Sequence, residues 1–421
     1  MKTIHWLCLV AIALLASCAG GVREETPPTR FNDATPVGFP STVRYFSADP
    51  RDFISRSEDM RRRLELASPD GTINVLALSG GAAGGAFGAG ALVGLSRRGE
   101  RPRYDVVTGV SAGALIAPFA FLGSAWDDRL IAAFAAERTA GLIRSSGVEN
   151  LFKPGWFHSA GLVDLVDHCV TYELLSAVAH EAARGRLLLV ATTDLDDEET
   201  VIWNMGVIAA QGGEAARRLF RDVLVASSSI PGLFPPVMIP VEHNGVRYEE
   251  MHVDGSLTTP FLDVPEAAFM SPLDGALLRG VHIYVIVNGQ TGRMPLTTPL
   301  GTRSILAKSF SAALNHTSRT HVALTAAFAQ RYGIAFKFTE IPLDHPEVEF
   351  LDFSPSNMQA LFDYGLRCAE RGRLWMTIEQ AVDRAEFATV GSRRSPPRAR
   401  ELSECPLEAP PTDALSLTPP H

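Results

Sequence analysis

The stretch LALSGGAAGGAFGAGAL, from Leu76 to Leu92, constrains the fold of this chain more than any other segment. It begins within the apolar run 73–79, which predicts a strand that is buried on both faces of a parallel sheet. Glycines directly after such a strand allow the backbone to approach a negative charge closely. That charge is either the phosphate of a nucleotide or the oxyanion of a reaction intermediate, and the two possibilities predict different proteins.

Strands and helices alternate along the rest of the chain. Further strands are predicted at 104–110, 187–194, 201–205, 249–253, 281–287 and 334–341. Helices are predicted at 52–66, 87–95, 112–122, 214–227, 304–332 and 357–384. This alternation predicts an α/β fold with a mainly parallel central sheet and helices on both faces.

The glycine pattern does not fit a nucleotide site. A dinucleotide fingerprint needs glycines at i, i+2 and i+5, but Gly88 and Gly90 are followed by Val93 at the third position. A P-loop fails because no Lys-Ser or Lys-Thr pair follows the glycines. A dinucleotide site also needs an acidic residue at the carboxyl edge of the sheet to bind the ribose. Asp105 lies at the opposite end, at the beginning of its predicted strand, and so cannot serve. The net charge of −9 also argues against a nucleic-acid partner.

A serine in the next strand–helix connection favours the oxyanion. The pentapeptide GVSAG, Gly109 to Gly113, lies between a predicted strand and a very apolar predicted helix, which is the setting of a nucleophile elbow. Gly109 and Gly113 leave room for a sharp turn that exposes the hydroxyl of Ser111. A glycine loop that only packs a helix against the sheet is the alternative, and the neighbouring GVSAG favours the catalytic interpretation.

The serine needs a proton acceptor, and the sequence HVDGS offers two. His252 and Asp254 are two residues apart on a predicted strand, so their side chains share a face and do not point at each other as in a relay. Asp254 ends the strand before Gly255, which suits either a catalytic carboxylate or a turn cap. We interpret His252 as a packed or surface histidine without a chemical role.

The motifs SGGAAGGAFGAG, GVSAG and VDGS, in this order, resemble those of patatin-like phospholipases. The segments SSSIPGLFPPV (227–237) and TTDLDDEETVIWN (192–204) are similar to two further stretches of that family. The resemblance spans about residues 73–288. It implies a patatin-like three-layer α/β/α fold, and it implies that the protein hydrolyses fatty acyl esters.

The resemblance also implies the site residues. Ser111 would be the nucleophile and Asp254 its base, without a histidine, a metal ion or a cofactor. The amides around Gly80, Gly81 and Ala82 would form the oxyanion hole.

Three positions depart from the family pattern. Ala82 replaces the usual third glycine of the loop, which restricts its φ angle. Gly84 replaces the usual arginine or lysine, which removes a fixed positive charge that would attract an anionic head group. Ser256 replaces a glycine or alanine after the aspartate, a small polar change.

Two further groups of residues have competing interpretations. Phe87, Leu115, Phe119 and Phe234 are candidate linings of an acyl pocket or lid, with core packing as the alternative. The acidic run that begins at Asp194 (Asp194, Asp196, Asp197, Glu198 and Glu199) predicts an acidic surface turn and not a cation site, because its spacing is not that of an EF-hand.

The N-terminus predicts export and lipidation. Residues 1–17 read as a signal peptide, because Lys2 precedes an apolar stretch that is too short to span a bilayer. The sequence LASC at its end resembles a bacterial lipobox, so we expect lipidation at Cys18. The alternative is an ordinary signal peptide with a coincidental cysteine.

The remaining segments follow from composition. We predict a flexible linker at 18–50, the acyl hydrolase domain at 51–388 and a disordered tail rich in proline and arginine at 389–421. Besides Cys18, the mature chain would hold Cys169, Cys368 and Cys405 as thiols, which permit at most one disulfide. Burial of apolar side chains must therefore stabilise the fold.

Together these features predict a membrane-tethered serine acyl hydrolase, either a phospholipase, a lysophospholipase or another esterase. Its substrate would be a lipid or other acyl ester, and no nucleic acid, metal ion or cofactor is expected. We expect a bacterial cell-envelope location, at the outer membrane in preference to the inner one. The alternative is a catalytically inactive patatin-like lipoprotein that serves as an interaction module.

Overall fold

The computed structural model describes residues 33–47, 50–134, 160–264, 275–292, 297–342 and 351–377, together with 269, 345, 379–380 and 405–406. Within this part of the chain, ten strands form one sheet. They are β1 (Thr35–Pro36), β2 (Arg44–Phe46), β3 (Ile73–Leu78), β4 (Val106–Val110), β5 (Leu187–Asp194), β6 (Glu199–Asn204), β7 (Val237–His243), β8 (Val246–Asp254), β9 (Val281–Val287) and β10 (Ala335–Glu340). Five consecutive neighbours, β5, β4, β3, β9 and β10, run parallel. The largely apolar runs of the sequence correspond to β5, β4, β3 and β9, whereas the edge strand β10 contains Lys337, Thr339 and Glu340. The other strands pair antiparallel at one end of the sheet.

Helices cover both faces of this sheet. They are α1 (Pro50–Ala67), α2 (Gly85–Arg98), α3 (Ala112–Leu122), α4 (Asp127–Phe134), α5 (Ala160–Cys169), α6 (Tyr172–Ala183), α7 (Met205–Gln211), α8 (Gly213–Ser227), α9 (Thr302–Tyr332) and α10 (Pro355–Glu370). The six helices that the sequence predicts are present, although the last of them ends at Glu370 and not at residue 384. Among the described residues, no helix combines the length and the apolar character that a bilayer crossing requires.

The strand β3 shows how the layers form. Leu76 and Leu78 belong to a hydrophobic core that includes α2, α3, α8 and α10. Val75 and Ala77, on the opposite face, belong to a second core that includes α9. Since side chains alternate along a strand, an unbroken apolar run needs a helix layer on each face. The mixed α/β fold with a central, mainly parallel sheet between helices confirms the predicted fold class.

The pairing of β5 positions the site. Along one edge of β5, residues 187–191 pair with β4 in parallel and residues 192–194 pair with β8 antiparallel. The opposite edge of β5 pairs with β6. Because β4 and β8 approach along the same edge from opposite directions, their C-terminal ends meet head to head.

Residues 33–47 correct the prediction of a flexible linker at 18–50. Within this segment β1 pairs with β7 and β2 pairs with β6, so both strands extend the sheet. Arg44 of β2 is buried and forms a salt bridge with Glu250. Strands of two and three residues are too short to give a periodic pattern, which is why the sequence did not reveal them.

The cysteines correct a second expectation. Cys368, near the end of α10, forms a disulfide bond with Cys405, and both residues are buried. Cys169 is free. The bond is the single disulfide that the cysteine count permits. The predicted signal peptide, Cys18 and the predicted tail apart from Cys405 and Pro406 lie outside the described residues.

Candidate active site

Ser111 lies at a sharp turn between β4 and α3. Its φ of 54° and ψ of −123° are rare for an L-residue, and such a conformation costs about 1–3 kcal/mol and concentrates at functional sites. A Cβ on Gly109 would lie 2.6 Å from the carbonyl oxygen of Gly113, and a Cβ on Gly113 would lie 2.3 Å from that of Leu78. The turn therefore requires glycine at both flanking positions.

Ser111 and Asp254 are in direct contact. The serine Oγ donates a hydrogen bond to Oδ2 of Asp254 at 2.6 Å, and both residues are buried. The sheet register produces this contact, because Val110 pairs with Ala191 and Asp254 pairs with Thr192, the next residue of β5. Two side chains that are 143 residues apart in sequence thus lie side by side.

Asp254 is buried among neutral hydrogen-bond donors. Its Oδ1 accepts the N–H of Ser256 at 2.8 Å, and its own N–H donates to the carbonyl oxygen of Ser229 at 2.9 Å. Burial raises the pKa of Asp254 to about 6, although the hydrogen bonds from Ser111 and Ser256 act in the opposite direction. At neutral pH the group is therefore largely ionised and is a stronger base than an exposed aspartate.

Two serines that the sequence analysis did not identify hold the main chain of Ser111. Ser227 Oγ accepts the N–H of Ser111 at 2.9 Å and donates to the carbonyl oxygen of Ala191 at 2.7 Å. Ser228 Oγ donates to the carbonyl oxygen of Ser111 at 3.2 Å. The serine run that opens SSSIPGLFPPV was the available signal for this role.

Three amides near the dyad have the properties of oxyanion-hole donors. The N–H groups of Gly81, Ala82 and Ala112 donate no hydrogen bond to any other described residue. Ala112 directly follows the nucleophile and begins α3, where the first amides of a helix lack partners. Its position after the nucleophile could have identified it from the sequence.

Gly80 differs from the other two predicted oxyanion-hole residues, because its amide already has an acceptor and its missing side chain has a steric role. Its N–H donates to the carbonyl oxygen of Pro260 at 3.1 Å. A Cβ at this position would lie 2.1 Å from Oγ of Ser256 and 3.2 Å from Cβ of Ser111. The missing side chain therefore allows the loop to pass against the dyad.

The glycine loop, residues 80–88, packs closely against Asn288, which follows β9. A Cβ on Gly81 or Gly84 would lie 1.8 or 2.1 Å from the carbonyl oxygen of Asn288, and a Cβ on Gly88 would lie 2.3 Å from its Oδ1. Asn288 Nδ2 donates to the carbonyl oxygen of Ser79 at 2.7 Å. The close approach explains why no arginine or lysine occupies position 84, because any side chain there would displace Asn288.

An apolar cavity begins beside the candidate donors. Ala82 and Ala112 line it, as do Leu115, Pro118 and Phe119 of α3. The remaining lining residues are Ala133, Phe134, Leu165, Val166, Cys169, Val170, Leu174, Leu224, Phe353 and Met358. The lining is apolar throughout, apart from the thiol of Cys169, and suits a hydrocarbon chain.

The four candidate pocket residues divide into three groups. Leu115 and Phe119 line the cavity. Phe87 is wholly buried in the core against Tyr364. Phe234 belongs to a small hydrophobic cluster with Ala82, at the edge of the glycine loop.

His252 lies in a buried polar cluster and makes no hydrogen bond to Ser111 within the described chain. Its Nδ1 lies 3.0 Å from Oγ1 of Thr192, which also accepts Nε1–H of Trp203 at 2.8 Å. Its Nε2 lies 3.3 Å from Oε2 of Glu250. The interpretation of His252 as a packed histidine therefore agrees with its contacts.

The acidic run forms the predicted turn, in which Glu198 is exposed and Asp196 and Asp197 are partly exposed, but Asp194 precedes this turn at the end of β5. It is fully buried, and burial raises its pKa. The ligand atoms of Asp194, Glu250 and His252 lie within 4.8 Å of one another, a spacing that a metal ion could bridge. However, Arg44 already pairs with both carboxylate oxygens of Glu250, so the protein supplies the positive charge itself. We interpret the group as a buried salt-bridge network.

Comparisons with known proteins add the following. Residues 76–265 match the family model described as Patatin-like phospholipase. Similar solved structures include VipD from Legionella pneumophila, with 13% identity, 76% of this chain and 74% of that chain covered, and a TM-score of 0.29. Human GIVD cytosolic phospholipase A2 is 12% identical, with 82% of this chain and 66% of that chain covered and a TM-score of 0.36.

A third similar structure is the ExoU-SpcU complex from the type III secretion system of Pseudomonas aeruginosa. It has 15% identity, coverage of 76% of this chain and 59% of that chain, and a TM-score of 0.27. A search of curated proteins gave no match.

Proposed function

Because this chain carries a patatin-like phospholipase domain at residues 76–265, we propose that it is a serine acyl hydrolase with a Ser111–Asp254 dyad. The observation that carries the proposal is the 2.6 Å hydrogen bond from the serine hydroxyl to a carboxylate whose pKa is raised to about 6. The serine lies at a strained elbow, as nucleophiles in such turns do.

Acylation begins with attack by Ser111 Oγ on the acyl carbon of an ester. Oγ forms a bond to this carbon while its proton passes to Oδ2 of Asp254, and the carbonyl oxygen becomes negatively charged. The amides of Gly81, Ala82 and Ala112 donate to that oxygen, and one such donor contributes about 3 kcal/mol to the transition state. The bond to the alcohol then breaks, and Asp254 returns the proton to the leaving oxygen.

Deacylation repeats these steps with water. Asp254 removes a proton from the water molecule, whose oxygen attacks the acyl carbon of the acyl-enzyme. The bond to Ser111 Oγ breaks, and the proton returns from Asp254 to the serine. The product is a free carboxylic acid, and no histidine takes part.

The apolar cavity would hold the fatty acyl chain. Its lining starts at Ala82 and Ala112, the residues of two proposed oxyanion donors, so an acyl carbon at Ser111 places the attached chain at the cavity entrance. We therefore propose a fatty acyl ester of a lipid as the substrate class. Its finer identity, phospholipid, lysophospholipid or glyceride, would be assigned with a lipid panel and mass spectrometry.

We further propose that the enzyme acts in a bacterial cell envelope, tethered at its outer membrane through a lipid on Cys18. The sequence LASC supports lipidation at this cysteine. The Cys368–Cys405 disulfide supports export, since such bonds persist mainly outside the reducing cytoplasm. Metabolic labelling with a palmitate analogue tests the anchor, and a wild-type protein that stays unlabelled would refute it.

One experiment tests the catalytic proposal. Wild type, Ser111→Ala, Asp254→Asn and His252→Gln are incubated with a soluble chromogenic ester and, separately, with a fluorophosphonate probe. We expect labelling of wild type at Ser111, and a loss of hydrolysis of at least a thousandfold in the first two variants. His252→Gln should remain within a few-fold of wild type, because its ring lies in the separate cluster.

Three outcomes would contradict the proposal. Full activity in Ser111→Ala would place the nucleophile elsewhere. Equal losses in Asp254→Asn and His252→Gln would favour a histidine-based mechanism. A wild type that neither hydrolyses nor labels would favour the interaction module, which the substitutions at Ala82 and Gly84 would then explain.

A further inference from the structure

The helix α9 has an unusual charge composition. Between residues 275 and 339 the sequence contains no aspartate or glutamate, although the net charge of the whole chain is −9. The 31 residues of α9 include Arg303, Lys308, Arg319 and Arg331. A helix N-terminus favours acidic side chains, and the first turn of α9 has none, so the stability of the helix does not account for this composition.

Large apolar side chains are exposed at the N-terminal end of α9. The exposed fraction is 98% for Leu300 and 47% for both Ile305 and Leu306. Single exposed apolar residues are common, but three within seven residues form a patch. Exposed apolar side chains with basic residues on the same helix, and no acidic residue nearby in the sequence, favour contact with an anionic membrane surface.

The patch connects to the proposed acyl cavity. Phe310 lies one turn after Leu306 on the same face of the helix. It packs against the hydrophobic cluster of Ala82, Ile230, Leu233 and Phe234, which Phe353 also contacts. Ala82 and Phe353 in turn line the cavity. The exposed side chains are therefore one helical turn from a cluster that shares Ala82 and Phe353 with the proposed acyl cavity.

We propose that residues 300–308 are a docking surface for an anionic lipid bilayer. Leu300, Ile305 and Leu306 enter the hydrocarbon layer of the bilayer, while Lys308, which follows them on the helix, lies at the head groups. The inference rests on the proposed function, since docking brings lipid to the entrance of the acyl cavity. It adds a second membrane contact that is independent of Cys18.

Vesicle co-sedimentation tests the surface. The full chain carries Cys18→Ser, so that no acyl anchor contributes, and is mixed with vesicles of phosphatidylglycerol and phosphatidylcholine or of phosphatidylcholine alone. We expect binding to the anionic vesicles that weakens with added salt and is weaker on neutral ones. Ile305→Asp and Leu306→Asp should each reduce that binding at least tenfold.

Leu324→Asp is the matched control. Leu324 lies on the same helix, and its exposed fraction is 45%, but it is about 27 Å further along the axis. We expect its vesicle binding to stay within twofold of the parent. Hydrolysis of a soluble ester should be unchanged in all three variants, which separates loss of docking from failure of the proposed catalysis.

The docking proposal would be overturned by either of two binding results or by a self-association result. One binding result is binding of the Ile305 and Leu306 variants that equals that of Leu324→Asp, and the other is no binding by the parent. The self-association result is a self-association of the parent in sedimentation equilibrium that Leu306→Asp abolishes, because the patch would then bind a second copy of this chain. Loss of soluble-ester hydrolysis in the parent would instead count against the proposed function.

Discussion

Two carboxylates on the same face of β8 have opposite proton affinities. Asp254 and Glu250 are four residues apart, and both are fully buried. Burial raises the pKa of Asp254 to about 6. Burial also acts to raise the pKa of Glu250, but the adjacent charge and hydrogen bonds of Arg44 outweigh it, and the pKa falls to about 2.

The difference shows what a buried carboxylate needs in order to act as a base. Arg44 keeps Glu250 ionised, and an anion paired in this way has little affinity for a proton. Among the described residues, the donors to Asp254 are the neutral Ser111 hydroxyl and Ser256 amide, so its charge is poorly compensated. The charge at the Asp254 end of β8 is therefore costly to bury, while Arg44 compensates the charge at the Glu250 end.

The largest expected effect comes from Arg44→Met, which removes this compensation. Glu250 would then be a buried carboxylate without its cation, and such a change costs about 3–5 kcal/mol of unfolding free energy. Urea denaturation at pH 7 measures it. The double variant Arg44→Met, Glu250→Met should recover most of the loss.

A matched control for Arg44 lies on the protein surface. Arg62 pairs with Glu58 on α1, where both side chains are largely exposed. Arg62→Met should leave the unfolding midpoint unchanged. If Arg44→Met behaved in the same way, the contrast between Glu250 and Asp254 would not depend on Arg44.

The next effect runs in the opposite direction, because Asp254→Asn should stabilise the fold. The folded-state pKa of about 6 lies above the ordinary 3.8, so the buried charge costs stability above pH 6 and not below pH 4. The difference of about two pH units corresponds to about 3 kcal/mol at pH 8. Urea denaturation of both proteins at pH 8 and pH 4 should show a gain that disappears at the lower pH.

The pH dependence of activity follows from the same group. Proton transfer needs ionised Asp254, so kcat/KM for a soluble ester should fall tenfold per pH unit below an apparent pKa near 6. Burial and nearby carboxylates also raise the pKa of Asp197 to about 6, which makes Asp197→Asn the matched control. If the acidic limb of the kcat/KM profile shifted in Asp197→Asn, the profile would not report the ionisation of Asp254.

The sequence predicted the parts of this site that depend on local patterns. Ser111, Gly109 and Gly113 were identifiable because an elbow needs small residues at fixed spacing between a strand and a helix. Asp254 was identifiable from the resemblance and from its place at the end of a strand. The parallel strands were identifiable because strands buried on both faces are continuously apolar.

The remainder depends on contacts between distant segments. Arg44 and Glu250 are 206 residues apart, and the strand that carries Arg44 has three residues. The position of Gly80 in the glycine loop predicts an oxyanion donor, but its N–H donates to the carbonyl oxygen of Pro260, which is far away in the sequence. β7 was missed because its sequence, VMIPVEH, contains a proline that argues against a strand.

The smallest expected effect concerns backbone strain at Ala82 in the glycine loop. Ala82 has a φ of 48°, a conformation that costs an alanine about 1–2 kcal/mol and a glycine almost nothing. Ala82→Gly loses a nearly buried methyl group but relieves this strain, so its unfolding free energy should change by less than about 0.5 kcal/mol. Ala83→Gly, in the same turn without a positive φ, loses a buried methyl group without relief and should cost about 1.5 kcal/mol. Urea denaturation of the two variants measures the difference, and equal losses would show that position 82 stores no strain.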